Sequence, residues 1–174
     1  MGRDKALLPY GQTTLLDHVA RTVLEAAGDV ELIGDPAKYG GLGYRIHSDQ
    51  IPGCGPLSGL YTALRVTRSD WNLVVACDMP GISAAILCSL LEAAPESGAD
   101  CVAAEGSPGR PEPLCAVYHR RCLPAVSRAM HDKRLKMHDL IEELELRVVP
   151  VASSAIANVN TPADWADLEE TLKK

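Results

Sequence analysis

The sequence is short of the features that would place a chain in a membrane, in an oxidising compartment or on a nucleic acid. No apolar run comes near the ~18 to 20 residues that a bilayer-spanning helix needs. The opening, Met1 to Gly11, has no apolar core of signal-peptide length, so a cytoplasmic location is the expectation. Six cysteines are present, at 54, 77, 88, 101, 115 and 122, but none forms a Cys-x-x-Cys pair. Several lie in apolar stretches and read as buried free thiols in a reducing compartment, not as a disulfide framework. The five histidines are scattered, with no His-Glu-x-x-His and no pair at ligand spacing, which argues against a zinc site. A net charge of -6 argues against a general nucleic-acid binder, which usually carries a basic face. There is no internal repeat, linker or low-complexity tract. The 174 residues therefore read as one domain, 1–174, long enough for a substantial core.

What is present begins with Trp71 to Pro80. An apolar run from Leu73 to Cys77 stops at Asp78, Met79 and Pro80. A short continuous apolar run bounded by turn formers predicts a strand buried on both faces. Pro80 has no N–H, so pairing should stop near it. Asp78 then stands at the carboxyl end of a central strand, the edge where open α/β sheets bind ligands. There it is either a hard-metal ligand or a cap for the next turn.

Elsewhere strand and helix signals alternate. Leu15, Leu16, Val19, Ala20, Val23 and Leu24 share one helical face, with Thr14 and Asp17 as a capping box and Gly28 as terminator. Strands are expected at Val30–Ile33 and Tyr44–His47, joined by a Gly/Pro-rich loop from Gly34 to Gly43. The stiff loop Asp49 to Gly59 leads into a helix from about Leu57 to Val66. Further helices are expected near 83–94, 123–130 and 137–144, and strands near 101–104, 114–118 and 148–151. Gly106 to Pro113 reads as a loop. Asn158 to Asn160 reads as extended, before a last helix capped by Thr161, with Pro162 at its first position, and carrying Trp165, Leu168 and Leu172. The pattern predicts an α/β three-layer sandwich, Rossmann-like, with a mostly parallel sheet.

Four features could carry chemistry together. Lys5 can hold phosphate as a point charge, or it is a solvated surface lysine. Asp49 either caps a turn or faces a ligand. The loop around Gly55, Pro56 and Leu57 offers backbone N–H groups at a helix start, an anion site in principle. With Asp78, these are the parts of a site for nucleotide phosphates and Mg²⁺.

At this level the chain resembles the MobA-like nucleotidyltransferases, the family that includes molybdenum cofactor guanylyltransferases. Five segments carry the resemblance in order: MGRDKALLPYG, DQIPGCGPLSGL, VVACDMP, RPEPLCAVY and NVNTPADW. The resemblance implies transfer of GMP from GTP to molybdopterin with release of pyrophosphate. It implies that Lys5 contacts the phosphates, Asp49 the nucleoside region, and Asp78 the Mg²⁺ at the α-phosphate. Asn158 and Asn160 would lie near molybdopterin, and Asp35 near the base. Transient contact with proteins that deliver or accept the molybdenum cofactor is a further expectation. A cytidylyltransferase or other nucleotidyltransferase on a related small phosphate acceptor, or a non-catalytic nucleotide- or cofactor-binding module, stays open as an alternative. The family begins with a strand and a Gly-rich phosphate loop ahead of its Met-Gly-x-Asp-Lys segment. A longer native chain is therefore expected, and so is a groove or an unpaired sheet edge where an inner strand is missing. Charge adds one expectation: residues 110–136 hold seven basic side chains against two acidic, a balance of +5, and form either a solvated surface or a wall that attracts an anionic acceptor.

Overall fold

The computed structural model describes residues 4–161, 163–166 and 168. A short hairpin, β1 (Pro9–Tyr10) and β2 (Thr13–Thr14), precedes helix α1 (Leu15–Ala27). Thr14 caps α1 by accepting from the Asp17 N–H at 3.2 Å, and Gly28 ends it in the left-handed region at φ 76°. That is half of the expected capping box. The Asp17 carboxylate turns instead to Thr13, Tyr44 and Arg21.

Strands β3 (Glu31–Ile33) and β4 (Arg45–His47) pair in parallel and form a small sheet of their own. Between them the expected loop contains a helix, α2 (Pro36–Tyr39). Asp35 caps it and Pro36 opens it, a start signal that outweighs the glycines that follow. Helix α3 (Pro56–Val66) then leads to β5 (Trp71–Val75) and α4 (Ala84–Ala93). Strands β6 (Cys101–Ser107) and β7 (Arg110–His119) form a long hairpin, helices α5 (Leu123–His131) and α6 (Met137–Ile141) follow, and β8 (Leu146–Pro150) is the last strand.

The main sheet has the order β5-β7-β6-β8. The α/β sandwich expected from the pattern is present, and its sheet is mixed. β7 runs antiparallel to both β5 and β6, whereas β6 and β8 are parallel. Side-chain alternation on β6 and β7 feeds two cores. Cys101, Ala103, Ala116 and Tyr118 pack with Leu57, Leu60 and Leu64 of α3 and with Val126 and Leu140 of α5 and α6. Val102, Ala104, Cys115 and Val117 pack on the other face with Val19 of α1 and Leu87 and Leu90 of α4. This is the two-sided burial that gives near-continuous apolar strands.

The expected loop from Gly106 to Pro113 is mostly strand. Pro111 and Pro113 lie where β7 has run past the end of β5 and where its register with β6 shifts, so their missing donors cost the ladder little. Asn158 to Asn160 lies outside both sheets and is tied in by one backbone bond, Val159 N–H to the Asp78 carbonyl at 2.9 Å. Residues 163–166 are helical, as expected, whereas Met1 to Arg3 of the opening motif, Pro162 and Leu172 lie outside the described residues.

The strand expected at the centre is at an edge. Among the described residues β5 pairs only with β7, and all five of its residues are half-buried. Its other side faces a groove of 1120 Å³, across which lies β3. Helix α1 lines one wall through Leu16, Val19 and Ala20, and α3 the other through Pro56, Gly59 and Leu60. The groove and the unpaired edges expected from the motif reading are both present.

Candidate active site

The site forms where β5 ends. The Ala76 N–H still bonds to the Leu114 carbonyl at 2.8 Å, and after it the chain leaves the sheet. The turn that follows is held from three directions. The Asp78 carbonyl accepts from Val159 N–H. The Pro80 carbonyl lies 3.1 Å from His18 Nε2 and accepts from the Tyr10 hydroxyl at 3.5 Å, and the Tyr10 and His18 rings stack with centroids 4.2 Å apart. Gly81 follows, and a Cβ there would sit 2.7 Å from the Ser154 carbonyl oxygen. Only glycine lets the two backbones approach so closely.

These restraints fix the Asp78 backbone and leave its carboxylate uncommitted. Among the described residues no side chain donates to it. Burial pushes its pKa up, while its own backbone N–H and the positive charge of Lys5 act in the opposite sense. The capping reading of Asp78 finds no support, since the helix after it is capped by Ser83. Lys5 reaches the same place from a 3-10 turn, Lys5–Leu7, that Asp4 caps. Its ammonium donates to Asn160 Oδ1 at 3.0 Å. Asn160 is positioned in turn by Asp164, whose carboxylate accepts from the N–H groups of Asn160 and Thr161 at 2.8 Å each. Asn158 Oδ1 is buried with no hydrogen-bond partner among the described residues, and Asn158 lines the groove with Asp78. A buried carbonyl oxygen without a donor is costly and marks a place built to receive one.

Lys5, Asp78, Asn158 and Asn160 therefore converge. The remaining expected residues are placed differently. Asp35 spends one carboxylate oxygen on capping α2, bonding Ala37 N–H at 2.9 Å, and stays exposed near Tyr39. Asp49 is exposed and makes no side-chain bond to any described residue, so the turn-capping role is not observed. The loop after it is anchored by Gln50 N–H to Thr62 Oγ1 and by Ser58 Oγ to the Ile51 carbonyl. Gly53 and Gly55 take positive φ angles of 87° and 59° there. Pro56 lines the groove. Leu57 is fully buried in the core, so only its backbone can face a ligand.

The sequence reading passed over Asp4, Tyr39 and Cys77. The Tyr39 hydroxyl donates to Asp4 at 2.8 Å, and Lys38 stands 3.5 Å from the same oxygen. Burial raises the Asp4 pKa, but these donors and the Ala6 N–H outweigh it and hold the carboxylate below its usual range. Burial also pushes the Cys77 thiol up to about 11, helped by the charges of Asp78 and Asp4, so Cys77 is an inert wall and not a nucleophile. The Asp35-Pro36 start signal could have found α2 and, with it, Tyr39.

The basic segment does not form one wall. Arg110 opens β7, and Arg120 and Arg121 follow its far end, roughly 30 Å away at about 3.3 Å per residue. Arg121 is bound to Asp100 and to the Gly98 and Ala99 carbonyls, and Arg134 to Glu143 and Asp132. Of the seven, Arg110 lies on the part of β7 that extends past the end of β5, where Asp78 stands.

Whether the donors fit a divalent ion follows from their chemistry. Among the described residues no three His, Cys, Asp or Glu side chains cluster to hold a metal alone. A hard cation such as Mg²⁺ needs only one or two carboxylates when phosphate oxygens complete its shell. One uncommitted carboxylate beside a lysine fits that arrangement.

The sequence profile of the MobA-like NTP transferase domain matches residues 1–148. A probable molybdenum cofactor guanylyltransferase of Deinococcus radiodurans is 36% identical over 178 residues, covering 99% of this chain and 91% of that protein. A protein of the same description from Pelotomaculum thermopropionicum is 34% identical, covering 94% and 83%. Among solved structures, molybdopterin-guanine dinucleotide biosynthesis protein A of Archaeoglobus fulgidus superposes with a TM-score of 0.81 at 24% identity, covering 99% of this chain and 92% of that one. A Mycobacterium tuberculosis protein crystallised with manganese gives a TM-score of 0.75 at 21% identity, covering 97% and 93%.

Proposed function

The chain belongs to the MobA-like NTP transferase family, and we propose that within it the protein is an Mg²⁺-dependent guanylyltransferase that moves GMP from GTP to molybdopterin. The observation that carries this reading is the convergence of Asp78, Lys5, Asn158 and Asn160 at the end of β5. The names of the relatives support the substrate choice. A phosphate oxygen of molybdopterin attacks the α-phosphorus of GTP, the bond from that phosphorus to the α–β bridging oxygen breaks, and pyrophosphate leaves with the bonding pair. No covalent enzyme intermediate is needed, so the protein's work is positioning and charge neutralisation.

Asp78 is the residue that would hold Mg²⁺, and the bound ion would draw charge off the α-phosphate and the departing pyrophosphate. Lys5 supplies a point charge to the phosphates. Its present partner, Asn160 Oδ1, is neutral and gives way to an anion at little cost. Asn158 and Asn160 offer amide groups to the acceptor. Asp49, the backbone N–H groups of Gly55 and Leu57, and the Pro56 ring between them face the nucleotide. Asp35 faces the base with its free carboxylate oxygen. The setting is cytoplasmic: all six cysteines are free, and no described helix is long and apolar enough to cross a membrane. Proteins that deliver or take up the cofactor complete the route by transient contact.

The test is pyrophosphate release by the purified protein with Mg²⁺, molybdopterin and either GTP or CTP. Release that needs all three components and favours GTP supports the reading. A preference for CTP would change the base assignment, and binding of GTP without any release would replace catalysis by a binding role.

A further inference from the structure

Asp4 serves two elements at once. One carboxylate oxygen, Oδ1, accepts from the Ala6 N–H at 3.2 Å and so caps the 3-10 turn that carries Lys5. The other, Oδ2, accepts from the Tyr39 hydroxyl at 2.8 Å, with the Lys38 ammonium 3.5 Å away. Tyr39 and Lys38 belong to α2, the helix that Asp35 caps. The Tyr39 ring is seated against the backbone of Gly34, where an added Cβ would stand 2.9 Å from its Cε2. The same ring packs against the apolar cluster of Ala6, Leu16, Ala20 and Leu32, so the hydroxyl reaches Asp4 from a ring held on two sides. These donors occupy the acid that neighbours Lys5 in the chain. Lys5 itself makes no ion pair among the described residues and keeps its ammonium on the neutral Asn160 Oδ1. An acid left free beside a lysine would compete with an incoming phosphate for its charge.

We propose that Asp4 and Tyr39 are positioning residues, which tie the turn carrying Lys5 to helix α2 and hold the lysine where it meets the nucleotide phosphates. The inference rests on the phosphate role of Lys5 proposed above. The turn needs an outside restraint. Its own backbone bonds are Leu7 N–H to the Asp4 carbonyl at 3.2 Å and Leu8 N–H to the Lys5 carbonyl at 3.1 Å, and 3-10 bonds of this kind have poor geometry. The Lys5 side chain adds a flexible stem. Without a fixed base for that stem, the charge spreads over a volume, and a misplacement of ~1 Å can cost about 100-fold in rate. Asp4 supplies the base, and Tyr39 fixes Asp4. Neither needs to touch the nucleotide. The same two bonds connect the segment proposed to face the base, Asp35 and α2, with the group proposed to face the phosphates.

The test is a cycle of variants read by equilibrium binding of GTP and of guanosine, and by pyrophosphate release, all with Mg²⁺. Tyr39→Phe removes one hydroxyl and keeps the ring on Gly34, so circular dichroism should be unchanged. Its GTP affinity should fall about tenfold, the scale of one hydrogen bond to a charged group, and kcat/KM should fall in proportion. Guanosine offers Lys5 no anion, and its affinity should not change. Lys5→Ala should weaken GTP by about tenfold or more, and adding Tyr39→Phe to it should cost nothing further, because the hydroxyl acts through the lysine. Adding Tyr39→Phe to Asp4→Ala should cost nothing further either. Unchanged GTP affinity in Tyr39→Phe would overturn the proposal. So would equal losses for GTP and guanosine, which would make Tyr39 a base contact or a structural prop, and so would a Tyr39→Phe loss that persists undiminished beside Lys5→Ala. Lys5→Ala binding GTP as tightly as the parent would overturn the phosphate role of Lys5 itself, and this inference with it. If the parent binds GTP but releases no pyrophosphate, catalysis fails, and the binding cycle still decides this proposal. If it prefers CTP, the same cycle runs on CTP and cytidine.

Discussion

Asp78→Asn should leave the fold intact and remove transfer. The substitution is isosteric and changes one formal charge. In the folded protein, burial raises the pKa of Asp78 above its ordinary value, against the opposing effects of its own N–H and Lys5. The folded state therefore binds this proton more readily than the unfolded state. Stability falls as pH rises from the unfolded value, ~3.9, through the higher folded value, and the deficit persists at neutral pH. Asparagine has no such deficit. The variant's melting temperature at pH 7 should equal or exceed that of the parent, and the two should converge at pH 3. Activity should move the other way. If Asp78 holds the ion, its loss removes about 3 kcal/mol or more of transition-state stabilisation, at least ~100-fold in rate. The assay is pyrophosphate release at saturating GTP and molybdopterin over a range of Mg²⁺. Turnover within threefold of the parent would refute the metal assignment. A fall of several degrees in melting temperature would show that the carboxylate is structural after all.

Three further outcomes rest on the same geometry. Asp17 is 5% exposed, and although burial raises its pKa, donors from Thr13, Tyr44 and Arg21 win and hold it low. Its stabilisation is present above the unfolded pKa and is lost as pH falls through the folded one. Asp17→Ala should cost about 2 to 4 kcal/mol, or roughly 5 to 15 °C in thermal melts at pH 7, with a smaller difference at pH 2. Gly81→Ala would drive a methyl into the Ser154 carbonyl, and should lose about 1 to 3 kcal/mol in urea titrations while lowering kcat through displacement of the Asp78 turn. Arg110→Glu should weaken molybdopterin binding and flatten its salt dependence. Arg134→Glu should change neither, because Arg134 is committed to Glu143 and Asp132. Titrations at two ionic strengths separate the pair.

The order of elements was legible because most of them are specified locally. Thr14 and Gly28 bracket α1, Ser83 caps α4, and the apolar periodicity between those limits leaves one face for each core. Strand direction was less accessible. The β6–β7 hairpin makes the sheet mixed, and its turn at Pro108 and Gly109 lies in a stretch whose prolines argue for loop. Those prolines are tolerated because the bulge and the end of β5 have already interrupted the ladder, a tertiary circumstance that no local pattern contains. Helix α2 shows the converse, a local signal at Asp35-Pro36 that was present and was outweighed by the glycines around it.

The site divides along the same line. Asp78 and Lys5 could be singled out from residue type and position, but not the contacts that make them a pair of interest. These come from Asn160 and Val159, more than eighty residues further along. The apolar run that ends at Asp78 held one more piece of information. Such a run implies burial on both faces, and β5 has that, with α1 and α4 above and α3 below. It says nothing about the edges, because edge pairing is a property of backbone and not of side chains. A strand can therefore be apolar throughout, covered above and below, and still have an edge that no described strand pairs with.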